Sequence, residues 1–139
     1  MSDPQAALKQ FTPSKKFFVG VDSDGCAFNS MEVKHLDCFC VAVVRYYGLA
    51  AISRQVHEAW EFVNLYSQDR ACSRFRGLLR TFDLLREMPR VKRSGVVVPE
   101  LSHVREWVKT ERILGNPNLQ RAINDSTNAK QDELVELME

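Results

Sequence analysis

Two hydrophobic patterns organise the chain. The first is a continuous apolar run, Phe17, Phe18, Val19, Gly20 and Val21, that leads directly into Asp22, Ser23, Asp24 and Gly25. A short run without polar alternation predicts a strand covered on both faces, as in a parallel α/β sheet. Gly25 permits a tight turn, and Asn29 or Ser30 can cap a following helix. The second pattern has helical spacing. Met31, Val33, Leu36, Phe39, Cys40, Val43, Val44 and Tyr47 predict a largely buried helix ended by Gly48. Ser53 then opens a helix over about 54–66 with Val56, Ala59, Trp60 and Val63 as its stripe. A third starts near Ser73, carries Phe75, Leu78, Leu79, Phe82 and Leu85 on one face, and closes before Pro89. Val96, Val97 and Val98 are too few to establish a sheet, and Pro99 stops them. Ser102 caps a helix with Val104, Trp107 and Val108 inward; shorter helices follow from about Asn118 and from Lys130. At the amino end, Asp3 and Pro4 start a short helix through Leu8, and residues 12–16 form a turn-rich approach to the strand.

The aspartate loop carries the candidate chemistry. Ligands of α/β sheets bind at the carboxyl ends of strands, where Asp22 and Asp24 would stand. One carboxylate can attack as a nucleophile while the other moves protons. With Mg²⁺, a hard cation that takes one or two carboxylates plus substrate phosphate, this suits phosphoryl transfer through an aspartyl-phosphate. The same residues also make an ordinary polar turn. A calcium loop fails on spacing: placing Gly25 at the invariant glycine puts Gly20 and Met31 at positions that need carboxylates.

An apolar strand, Asp-x-Asp-Gly, a short loop and Ser30 opening a helix resembles the first motif of the haloacid dehalogenase (HAD) superfamily. The resemblance implies Asp22 as nucleophile, Asp24 as general acid and base, and Mg²⁺ held by the Asp22 carboxylate and the Asp24 backbone carbonyl. Cys26 stands where Thr is commonest and Asn29 where Asp is common, and neither position performs phosphoryl chemistry. It also implies an α/β core of which this chain holds only the first strand: residues 1–31 begin the core, and residues 32–139 form a mainly helical cap. The order Asn64, Tyr66, Ser67, Arg70, Arg74, Phe75 is similar to the cap of one bacterial group of such hydrolases, which commonly has Gly and Asn near Ala71 and Ser73.

Composition narrows the picture. At 139 residues with 45% hydrophobic and 27% charged positions, the chain has the make-up of one modest globular domain. The net charge of +1 argues against a general nucleic-acid binder. No apolar run is long enough to span a bilayer, and no signal peptide is evident, so the expected location is the cytoplasm. Cys26, Cys38, Cys40 and Cys72 lack zinc-like spacing and read as small buried hydrophobes. His35, His57 and His103 are scattered singly. Charge is concentrated between Asp69 and Arg93, with eight basic residues against three acidic ones. Tyr66, Arg70 and Arg74 can bind an anionic substrate there through charge-assisted hydrogen bonds. The alternative is a solvated basic helix face.

A complete site of the resembled type also needs a second-strand Ser or Thr, a Lys or Arg, and a further acidic pair after an apolar strand. None is present; Asp132 and Glu133 follow Asn128, Ala129, Lys130 and Gln131, which form no buried strand. The expectation is the amino-terminal part of a Mg²⁺-dependent phosphatase-type hydrolase acting on a small phosphorylated metabolite. Its unpaired strand would borrow a partner or a second copy. The rival readings are a non-catalytic interaction protein that keeps the cap, and a helical module whose basic segment contacts acidic partners or RNA.

Overall fold

The computed structural model describes residues 9–138. The short helix expected over residues 3–8 lies outside them. Seven helices follow the aspartate loop. Helix α1 is wound widely as a π-helix over Val33–Cys40 and continues as an α-helix over Val41–Tyr46. After a single 3₁₀ turn at Ala50–Ile52, α2 runs over Ser53–Glu61 and widens into a π-turn at Phe62–Tyr66. Then come α3 (Arg74–Glu87), α4 (Pro89–Ser94), α5 (Ser102–Thr110), α6 (Asn116–Asn124) and α7 (Asn128–Val135).

The expected α/β fold is overturned. Among the described residues there is no sheet, and the one β-type contact is an isolated bridge between Asp24 and Phe28. Phe17, Phe18, Val19 and Val21 are not buried in a strand: they are 88, 91, 84 and 72% exposed on a segment with no regular structure and no backbone pairing. The reason is simple. A lone extended segment has no neighbour for its backbone N–H and C=O groups, so these remain with water and neither face is covered. Val96–Val98, the other apolar run of this kind, forms a connector on which Val98 is buried and Val97 faces solvent.

The helical part follows its apolar stripes. Helix α3 is central and packs on α2, α4 and α5; α1 lies against α2, and α7 against α5 and α6. Phe75, Phe82, Leu85, Val56, Val104, Leu119 and Leu134 are fully buried in one continuous core. Edge-to-face ring pairs, Tyr47 with Phe82 and Phe75 with Trp107, join α1 and α5 to α3. Gly77 sets the α2–α3 spacing: a Cβ there would stand 2.7 Å from Oδ1 of buried Asn64, whose Nδ2 donates to the Trp60 carbonyl at 2.9 Å.

The expected caps at Ser53 and Ser102 are not formed, whereas Ser73, near which the sequence places only the start of α3, caps it, its Oγ accepting from the Arg76 N–H at 3.4 Å. Ser53 and Ser102 instead lie inside their helices. The first turn of α5 is satisfied from elsewhere: the Val104 N–H donates to Glu133 Oε1 of α7 at 2.8 Å. Pro89 ends α3 and also opens α4 at its first turn. The cysteines are corrected too. Cys40 is buried, and burial pushes its thiol pKa up to about 11, but Cys26 and Cys38 are exposed and Cys72 is half-buried.

Candidate functional site

The aspartate loop closes on itself through three backbone hydrogen bonds. The Ala27 N–H donates to the Asp22 carbonyl (3.2 Å), Phe28 N–H to the Ser23 carbonyl (2.9 Å), and Gly25 N–H to the Phe28 carbonyl (2.8 Å). Gly25 makes this possible. It sits at φ +73°, where a side chain is strained, and a Cβ would approach Met31 Cγ to 2.9 Å.

The two carboxylates occupy different environments. Asp22 is exposed, with Oδ1 accepting from its neighbour's Ser23 N–H at 2.8 Å. Asp24 is held at both oxygens: Ser30 Oγ donates to Oδ1 and Lys34 Nζ to Oδ2, each at 2.7 Å. The hydrogen bond from Lys34, then that from Ser30, then the Lys34 charge keep the Asp24 carboxyl below the usual carboxylate range, against a small opposing effect of desolvation. Asp24 is therefore an anion at neutral pH. Ser30 does not cap the helix with its hydroxyl; that group is committed to Asp24, and its carbonyl accepts the Lys34 N–H.

Lys34 is the residue that reading the sequence missed. It follows Ser30 by four positions, so both fall on one face of the helix opening after the loop. That spacing was the available signal.

The Mg²⁺ ligands that the resemblance implies are the exposed Asp22 carboxylate and the Asp24 backbone carbonyl, a donor set such an ion accepts when water and phosphate oxygens complete its octahedron; the Asp24 carboxylate itself is taken by Ser30 and Lys34. Among the described residues no group of three or more His, Cys, Asp or Glu side chains converges to hold a metal.

The cap residues do not form one cluster. Tyr66 is exposed at the end of α2, and Arg70 is exposed in the turn that follows. Arg74, at the start of α3, lines a cavity to which neither Tyr66 nor Arg70 contributes. Its Nη2 donates to Asn116 Oδ1 at 2.5 Å, and its guanidinium lies 4.3 Å from the centre of the Phe75 ring. Asn116 was also missed, being forty-two residues away along the chain with no pattern to link it. Ala71 takes φ +64°, the left-handed region that favours glycine. Arg80 and Arg86 of the basic segment are paired, with Asp69 at 3.5 Å and with Asp83 at 2.5 Å.

No described helix is long and apolar enough to cross a membrane. Comparison with protein-family models, with curated proteins and with solved structures finds no match to this chain.

Proposed function

We propose that the aspartate loop serves Mg²⁺-dependent hydrolysis of a phosphate ester, with Asp22 as nucleophile, as the resemblance to the HAD superfamily implies. The observation that carries this reading is the unequal environment of two carboxylates one residue apart. Asp22 stands open to solvent, where a phosphate can reach it, while Asp24 is fixed in place beside it by Ser30 and Lys34. The left-handed Ala71, at a position near which the resembled group commonly has glycine, agrees with the same kinship.

An Asp22 oxygen attacks phosphorus, forming an acyl-phosphate bond as the ester P–O bond breaks, and the departing oxygen takes a proton from the Asp24 carboxyl. Water then attacks the phosphorus of this intermediate, Asp24 receives the proton, and inorganic phosphate leaves with Asp22 restored. Lys34 favours the anionic form of Asp24, so it must separate from that carboxylate before Asp24 can donate. Bound by the Asp22 carboxylate and the Asp24 backbone carbonyl, Mg²⁺ would supply charge neutralisation to the phosphoryl oxygens. The Lys or Arg and the further acids that such a site uses would come from a second segment that covers Phe17–Val21. Burying each of those large apolar side chains contributes roughly 1.5–3 kcal/mol, which favours such a contact.

The test is hydrolysis of an aryl phosphate by the purified chain with and without Mg²⁺, beside Asp22→Asn. The expected result is slow hydrolysis that needs both the metal and Asp22. Hydrolysis unchanged in Asp22→Asn removes Asp22 as nucleophile.

A second reading is a non-catalytic interaction protein. It is favoured by the Lys34–Asp24 pair, which occupies the carboxylate meant to move protons. It expects a folded sample without hydrolysis whose association with a partner is lost when Phe17 and Phe18 are replaced by Ser.

A further inference from the structure

A cavity of about 790 Å³ opens between the later half of α1, Trp60 of α2, the start of α3 and residues 136–138. This falls within the range of small-molecule sites, roughly 300–1,000 Å³. Its wall is mainly apolar and includes the rings of Phe39, Tyr46, Trp60 and Phe75, and Arg45, Arg74 and Glu136 are its charged members.

Arg74, unlike four other arginines of the helical body, meets no carboxylate among the described residues. Arg86 and Arg105 share Asp83, Arg86 also meets Glu100, Arg80 meets Asp69, and Arg54 meets Glu58. Arg74 loses hydration through partial burial, which pushes its pKa down, and no carboxylate offsets the loss. Its polar partner among the described residues is the neutral amide of Asn116. Held from one side by that amide and resting on the Phe75 ring, the guanidinium keeps most of its five donors for another group. Arg45, which also lines the cavity, forms no ion pair with a described residue, so the lining holds two arginines against one glutamate.

We infer that this cavity binds an aromatic monoanion, its ring system among the aromatic side chains and its carboxylate on Arg74. An uncharged aromatic would leave the Arg74 donors unused. A bare oxyanion would leave the aromatic wall uncovered. The site uses neither Asp22 nor Asp24 and stands independently of the proposed hydrolysis.

The test is calorimetric titration of the folded chain with 2-naphthoate, with its uncharged counterpart 2-naphthalenemethanol, and with inorganic phosphate. Naphthoate is expected to bind saturably, the alcohol at least about ten-fold more weakly, and phosphate alone not measurably. Arg74→Gln, at a half-exposed position that the fold tolerates, should weaken naphthoate by about ten-fold or more and leave the alcohol unchanged. Arg74→Lys, which keeps the charge without the planar fork, should fall between. Ala42→Trp, filling the cavity from an exposed position of its wall, should remove both ligands, whereas Asp22→Asn should change neither. The inference is overturned if folded protein does not bind naphthoate, if acid and alcohol bind equally, if Arg74→Gln binds naphthoate as the parent does, or if phosphate alone binds as tightly.

Discussion

Phe17 and Phe82 are the same residue type in opposite situations. Phe82, in the middle of α3, is fully buried against Tyr47 and the rest of the core, whereas Phe17 stands almost wholly in water on a segment with no regular structure. Helices satisfy their own backbone, so the body after residue 31 needs only side-chain packing to be stable. An extended segment needs a second segment for its hydrogen bonds before packing begins to count. The candidate chemistry sits at the junction, in a loop that closes through its own backbone bonds and through Ser30 and Lys34 of the incoming helix.

That contrast can be broken most sharply by truncation. Phe82→Ala should cost about 3–5 kcal/mol, while Phe18→Ala should stay within about 0.5 kcal/mol, both read by denaturant unfolding of the isolated chain. A comparable loss from Phe18→Ala would mean that the exposed run belongs to the folded core after all. Next in size is Gly77→Ala, which pushes a methyl group against Asn64; overpacking of this kind costs about 1–3 kcal/mol and should lower the melting temperature.

The ion pairs of the two regions give a smaller, pH-dependent contrast. Burial raises the Asp83 carboxyl pKa, but the hydrogen bonds and charges of Arg105 and Arg86 outweigh it, and the net direction is downward. A carboxyl lowered on folding contributes stability that is fully present above its unfolded value, about 4, and is lost as pH falls through the lower folded value. Asp83→Asn should therefore cost about 1–2 kcal/mol at pH 7, after allowance for partial solvent screening. Its stability should also vary less than the parent's below about pH 4. A variant with the parent's acid profile would assign the acid sensitivity elsewhere. The Asp24–Lys34 pair is solvent-screened, so Lys34→Gln should leave the unfolding midpoint unchanged. What should change is the Asp24 carboxyl titration, which moves up toward its ordinary value and can be followed by carbon-detected NMR.

Much of the helical body was legible because apolar spacing reports helix faces directly. The stripe from Phe75 to Leu85 became α3, and Ser73 became its cap. The strand was misread for a physical reason: an apolar run such as Phe17–Val21 marks a segment suited to burial, but burial requires a neighbour that the pattern cannot supply. Capping of α5 by Glu133 was equally hidden, since the two meet only through the fold. In the site, the Asp22–Gly25 turn was readable from residue types alone. The engagement of Asp24 by Lys34 and the separation of Arg74 from Tyr66 and Arg70 depend on where helices place side chains, which spacing within one element does not reveal.

The central claim is that Asp22 is a nucleophile. Its most direct test is the intact-mass spectrum of the chain quenched in acid after mixing with acetyl phosphate and Mg²⁺. The account predicts one covalent phosphate, mapped to Asp22, absent without the metal and absent in Asp22→Asn. No adduct on folded protein, or an adduct that persists in Asp22→Asn, would contradict it.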